Sequence, residues 1–151
     1  MKTIFRPLAS FLLILLFVYA AVSKLLSPAD FRGELYNQAF PHWLADLLLY
    51  TLIPAELLTV ALLSFPRGQQ AGLLFSASLL SLFSGYITLV LLRFWDRVPC
   101  SCGGILKHLT WGTHLVFNIF FLALSLGALL LPATQPASTI PKGGSRKPRT
   151  E

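Results

Sequence analysis

The chain has 151 residues, 55% of them hydrophobic and only 12% charged, with a mean hydropathy of +0.70. So few charges cannot solvate the surface of a water-soluble domain of this size. The formal net charge of +6 does not point to nucleic acid either. Its basic residues flank apolar runs or crowd the last ten positions, as membrane topology demands, and no nucleic-acid motif accompanies them.

Four stretches nearly free of charge, 7–23, 47–65, 71–92 and 112–131, approach the roughly 20 residues a helix needs to cross a bilayer. None alternates polar with apolar residues, which argues against a β-barrel. The expectation is an all-α integral membrane protein, a four-transmembrane-helix bundle surrounded by lipid and forming one domain over residues 1–132. Residues 133–151 are rich in Pro, Ser, Thr, Gly and basic side chains. Nothing there can bury a core, so a disordered basic tail is predicted.

The first apolar run follows Lys2 and Arg6. A cleaved signal peptide is the alternative, with Val18-Tyr19-Ala20 as the cleavage site. The run is long for that and resumes beyond Lys24, so an uncleaved span is expected. Ser27-Pro28-Ala29-Asp30 then reads as a helix start, with Ser27 as N-cap, Pro28 in the first position and Asp30 in the first turn. Phe31, Leu35 and Ala39 recur every four residues and give a weakly apolar edge. A short interfacial helix near 28–38 is predicted, stopping before Pro41. Trp43 marks the boundary of the second span.

Glu56 falls near the middle of that span, two residues after Pro54, which frees a backbone carbonyl one turn earlier and predicts a bend. A bare carboxylate there costs at least several kcal/mol, so it must be protonated, paired or turned inward. Two readings stand side by side: a neutral hydrogen-bonding staple between helices, or a proton relay. Counted from the outer ends of their spans, Glu56 lies about 14 Å deep and Asn118 about 9 Å. Glu56 is expected inside the bundle beside spans three and four, bonded as a neutral acid, with Asn118 the nearer candidate partner and His114 the poorer one. In the third span, Ser81 and Gly85 form a small-xxx-small pair suited to close helix packing. Phe94-Trp95 closes that span at the interface.

The chemically pointed stretch lies between spans three and four. It holds the chain's two cysteines, Cys100 and Cys102, preceded by Pro99 and followed by Gly103 and Gly104. Trp111, His114 and Asn118 come next at helical spacing and share one face. An extended chain holds residues i and i+2 near or beyond the comfortable Cα separation for a disulfide, about 6.8 Å, so closing this ring demands a bend. A strained, exposed disulfide has a higher reduction potential and is readily handed on. Three readings follow: redox exchange by Cys100 and Cys102, soft-metal binding by Cys100, Cys102 and His108 or His114, and structural thiols. Under the first, His114, with Trp111 and Asn118 beneath the loop, becomes a candidate for tuning thiolate formation.

Orientation follows the basic residues. The side holding the termini carries seven of them, Lys2, Arg6, Arg67, Lys142, Arg146, Lys147 and Arg149. The other side carries five, Lys24, Arg32, Arg93, Arg97 and Lys107. That places both termini in the cytoplasm and the cysteine loop outside, where disulfides persist.

The pattern Cys-x-Cys-Gly-Gly followed by Trp111, His114 and Asn118 resembles the MauE family. So do Ser23-Lys24-Leu25 ahead of Asp30-Phe31, and Pro54-x-Glu56-Leu57. The resemblance covers roughly residues 5–131 and extends to the wider DoxX-like four-helix membrane proteins. It implies an inner-membrane protein linked to methylamine utilisation. It further implies that the protein helps an exported client, the methylamine dehydrogenase small subunit in that family, to form disulfides with a thioredoxin-like partner. Carried over, Cys100 and Cys102 match the redox pair and Glu56 an acidic position of span two. The alternative from another class is a non-enzymatic module that handles a soft metal or scaffolds assembly. No cofactor is evident. There is also a likeness to quinone-linked four-helix thiol oxidases, but this chain has no CxxC and no second pair. A quinone would therefore have to meet Cys100 and Cys102 directly.

Overall fold

The computed structural model describes residues 2–94 and 110–130, with side chains from Ile4 onward. They form five helices: α1 (Lys2–Leu26), α2 (Pro28–Tyr36), α3 (His42–Ser64), α4 (Gln69–Leu91) and α5 (Trp111–Leu130). No strand occurs among the described residues. Four helices are long and apolar enough to cross a membrane: Ile4–Leu26, His42–Ser64, Gln69–Leu91 and Trp111–Leu130. At roughly 1.5 Å per residue each spans a bilayer core. The protein is a multi-pass, all-helical membrane bundle, and its short extra helix lies in the first loop. The cysteine stretch and the basic tail fall outside the described residues.

The distribution of polarity is that of a membrane protein. Leu8, Phe11, Leu15, Leu82, Val116 and Phe120 are exposed, whereas Ser10, Glu56, Thr59, Ser76, Asn118 and Ser125 are buried. With lipid outside, apolar side chains gain nothing by turning inward, and small or polar ones hold helices together. Helix neighbours run round the bundle as α1–α3–α4–α5 and back to α1. Ala9, Leu13, Phe17, Leu63, Leu73, Leu80 and Ala128 form the main core, and Phe31 and Leu35 of α2 pack on Ala45 and Leu52 of α3 in a second cluster.

Local chemistry sets the breaks. Pro28 occupies the first turn of α2, and the Ser27 carbonyl accepts the Phe31 N–H at 3.0 Å. The Ser27 hydroxyl makes no capping bond, so the expected N-cap acts through backbone alone. Helix α3 begins at His42, five residues ahead of the apolar run, because the Pro41 carbonyl accepts the Leu44 and Ala45 N–H groups and Asp46 is taken up by the Tyr36 hydroxyl. Between α3 and α4 the backbones nearly touch. A Cβ on Gly72 would lie 2.8 Å from the Leu63 nitrogen, so only glycine fits there. Helix α4 ends in a Schellman turn: Arg93 takes the left-handed conformation (φ 51°), and Phe94 N–H reaches the Leu89 carbonyl at 3.1 Å while Arg93 N–H reaches Val90. That turn directs the chain into the cysteine stretch.

One sequence expectation is corrected here. Ser81 and Gly85 are both exposed, and the helix presents Ser76, Ala77, Leu80 and Ser84 to the bundle instead. Close packing in α4 is achieved by Gly72 and Ser76, one face round. A small-xxx-small spacing names two residues on one face but does not say whether that face turns inward.

Candidate functional site

Connectivity places the cysteine stretch at the end of the bundle where α4 stops and α5 starts. Three further features meet at that end. Thr110 caps α5, its hydroxyl accepting the Thr113 N–H at 3.4 Å. Trp111 stands edge-on to Tyr86 of α4 with ring centroids 6.4 Å apart, and Tyr86 stands edge-on to Phe40 at 5.7 Å. The Tyr86 hydroxyl donates to Gln38 Oε1 at 2.7 Å, and Gln38 Nε2 donates to the Glu34 carbonyl at 3.0 Å. This aromatic and amide chain ties α5, α4 and the α2–α3 loop together. His114 lies half-buried in the first turn of α5, and Asn118, one turn deeper, is 7% exposed. The predicted shared face of Trp111, His114 and Asn118 is therefore real, and it leads from the loop into the bundle.

Glu56 is buried as expected, but its partner is not the one expected. Its Oε1 accepts a hydrogen bond from Lys24 Nζ at 2.8 Å, and Lys24 also donates to the Ala20 carbonyl at 3.0 Å. Glu56 is thus paired with a cation of the first span, in place of a neutral acid held by spans three and four. The geometry follows from helix chirality. Side chains tilt toward their own helix N-terminus, and α1 and α3 run in opposite directions. Lys24, near the end of α1, leans back into the bundle while Glu56 leans toward the loop end, and the two converge. The Phe31 ring lies 5.8 Å from the ammonium and covers it. The other carboxylate oxygen, Oε2, is buried with no hydrogen-bond partner, and so is the Ser84 hydroxyl.

Lys24 is the partner of Glu56 that reading residue by residue does not supply. The sequence reading treats it as a flanking charge, yet among the described residues its ammonium reaches the bundle interior from the loop side. The signal lies in the sequence: a mid-span acid that stays charged needs a cation, and Lys24 sits inside an otherwise apolar run. A second group lies on the outer surface of α2, where the Tyr36 hydroxyl donates to Asp46, its ring lies 5.4 Å from that of His42, and the Arg32 guanidinium lies 5.4 Å from its centroid. Among the described residues no three His, Cys, Asp or Glu side chains come together as a metal cluster. The metal alternative rests on Cys100, Cys102 and His108, outside the described residues.

The family model for methylamine utilisation protein MauE matches residues 2–131. The chain belongs to the MauE family. Two similar relatives carry that description. Methylamine utilization protein MauE of Paracoccus versutus is 33% identical over 128 residues, covering 82% of this chain and 68% of the relative. Its counterpart in Paracoccus denitrificans is 31% identical over 133 residues, covering 83% and 69%. No solved structure gives a significant match. The MauE region takes in all four spans, α2, the cysteine stretch and the Lys24–Glu56 pair, and it ends where the basic tail begins.

Proposed function

We propose that this MauE-family protein supports disulfide formation in an exported client through Cys100 and Cys102, in the setting of methylamine utilisation that names its relatives. The observation that carries the reading is the position of Cys-x-Cys-Gly-Gly. It joins two spans at the end of the bundle where the aromatic chain and the His114–Asn118 face converge. The Schellman turn at Arg93 and the Thr110 cap bound this segment at its two ends.

In the proposed step, a client thiolate attacks the Cys100–Cys102 disulfide and forms a mixed disulfide. The client's second thiolate then resolves it. The client loses two electrons and two protons, and the pair becomes a dithiol. The disulfide of a thioredoxin-like partner restores it by the reverse exchange, so no resident cofactor is required. The cysteine stretch faces the compartment outside the cytoplasm and both termini face the cytoplasm, across the inner membrane. His114, at the head of α5, assists thiolate formation, while Trp111 and Asn118 hold the segment's exit.

Trapping tests the reading. Cys100→Ala and Cys102→Ala each leave one thiol, which attacks the disulfide of the thioredoxin-like partner or of an already oxidised client. With no second thiol to resolve it, the adduct stays as a mixed disulfide that non-reducing gels and mass spectrometry detect. One of the two variants should accumulate such an adduct. If neither does, and the purified protein binds copper or zinc in a one-to-one ratio, the soft-metal reading replaces this one.

A further inference from the structure

Three polar residues, Lys24, Ser84 and Asn118, stand with their Cα atoms at nearly one height in the loop-side half of the bundle, and Glu56 of the remaining span stands roughly 6 Å below them. Three contacts fix the register. Gln69 Nε2 donates to Ser10 Oγ at 2.9 Å, Gly72 abuts Leu63, and the Ser76 and Ser125 hydroxyls lie 2.7 Å apart. At roughly 1.5 Å per residue above the Ser10–Gln69 contact, the Cα atoms of Lys24, Ser84 and Asn118 stand about 21 to 22 Å up, and that of Glu56 about 15 Å. The Glu56 side chain leans upward and that of Lys24 downward, which brings the 2.8 Å pair into the same layer.

This layer is short of hydrogen bonds. Glu56 is 2% exposed and Ser84 6%, and neither Oε2 of the one nor Oγ of the other has a partner. A buried acceptor left unsatisfied costs about 1–3 kcal/mol, more for a charged group. In native interiors such groups are met by ordered water when two to four polar partners surround it. This half of the bundle carries four groups able to bond water: the free Glu56 carboxylate oxygen, the Ser84 hydroxyl, the Asn118 amide and the Lys24 ammonium. The opposite half of the bundle differs. There the Ser76 and Ser125 hydroxyls bond each other and the Leu73 carbonyl, and nothing is left over in that seam.

We infer that this layer is reached by water and that Glu56 is its proton-exchanging group, with Lys24 as the residue that positions it. Oε1 is committed to the ammonium, so a proton arriving as hydronium forms its O–H bond at Oε2 and leaves a water molecule behind. The other ionisable groups round the pair are few. Helix α1 contributes, besides Lys24, Tyr19, whose buried hydroxyl also has no hydrogen-bond partner. Helix α2 turns Phe31 toward the pair, keeps Asp30 and Arg32 exposed and holds Glu34 half-buried. Helix α3 has His42 and Asp46 only near its start, α4 has no charged residue, and α5 has His114 above Asn118. The route to the layer runs along the His114–Asn118 face from the cysteine end. The inference does not rest on the thiol chemistry proposed above.

The test uses the full chain in lipid nanodiscs, with Cys100→Ser and Cys102→Ser to silence the native thiols. Into that background go Ser84→Cys or Asn118→Cys, with Ser125→Cys as the dry buried control and Leu82→Cys as the lipid-facing control. A small charged methanethiosulfonate reagent reacts with thiolates, which form only where water reaches. Ser84→Cys and Asn118→Cys should label about tenfold or more faster than either control. Separately, acidifying the protein should raise a protonated-carboxyl infrared band that Glu56→Gln abolishes and Lys24→Met moves to higher pH. Labelling of both Ser84→Cys and Asn118→Cys at the control rate, in protein that still unfolds cooperatively, would overturn the hydration. A band that survives Glu56→Gln unchanged would overturn the assignment to Glu56.

Discussion

The two halves of this bundle are held together by different means. In the half nearer the termini, the helix seams are close and joined through neutral groups, with the buried Arg6 at the end of α1: Gly72 packs against the Leu63 backbone, Ser125 bonds Ser76 and Leu73, and Leu13 is fully buried. In the half nearer the cysteines, a lysine–glutamate pair, an unpartnered hydroxyl and an asparagine occupy the interior, with α2 packed alongside. One half is optimised for packing in lipid, where small residues let backbones approach. The other keeps costly polar groups where packing alone would have placed leucine, which is the pattern of a working region.

Substitutions should separate the two halves. The largest effect is expected at the ion pair. Lys24→Met leaves Glu56 without its cation and should cost about 3 kcal/mol in detergent unfolding. Glu56→Leu should cost less, because the Lys24 side chain is 19% exposed and can swing its ammonium to the interface. The double change Lys24→Met with Glu56→Leu should recover most of the loss. Simple addition of the two losses would show that the residues do not act as a pair. In the other half, Gly72→Ala forces the α3 and α4 backbones apart and should cost about 2 kcal/mol, measured as a lowered Tm without change in Glu56-dependent infrared signals. Ser125→Ala should cost about 0.6 kcal/mol, typical of one interhelical hydrogen bond in a membrane.

The smallest effect concerns α2. The Asp46 carboxylate accepts the Tyr36 hydroxyl proton and holds the phenol above its ordinary range. A phenol whose folded pKa is raised contributes stability that is present below the unfolded value, about 10, and is lost as pH rises through the folded one. Ultraviolet difference titration should show one tyrosine ionising late, and Tyr36→Phe should remove that late component.

Much of this architecture was legible in the sequence because lipid demands it. Spans must be apolar and about 20 residues long, Pro28 and Pro41 must fall at breaks, and a buried acid must face inward. The helix face of Trp111, His114 and Asn118 followed from spacing alone. What spacing could not supply was direction. Ser81 and Gly85 share a face, but only the neighbours of α4 decide that this face meets lipid. The partner of Glu56 was likewise out of reach, since joining residues 32 positions apart depends on how far α1 extends before Ser27 and Pro28 break it. The depth count that favoured Asn118 treated each span as starting at its first apolar residue, whereas α3 starts earlier, at His42.

The central claim, that the loop-side half serves thiol chemistry at Cys100 and Cys102, is tested most directly by the redox state of that pair. The protein in its own membranes is acid-quenched and alkylated before and after addition of a reduced dithiol peptide. The account predicts that Cys100 and Cys102 resist alkylation beforehand and become labelled afterwards, as the peptide acquires a disulfide. Thiols that are already alkylated in full beforehand, with the peptide left reduced, would contradict it.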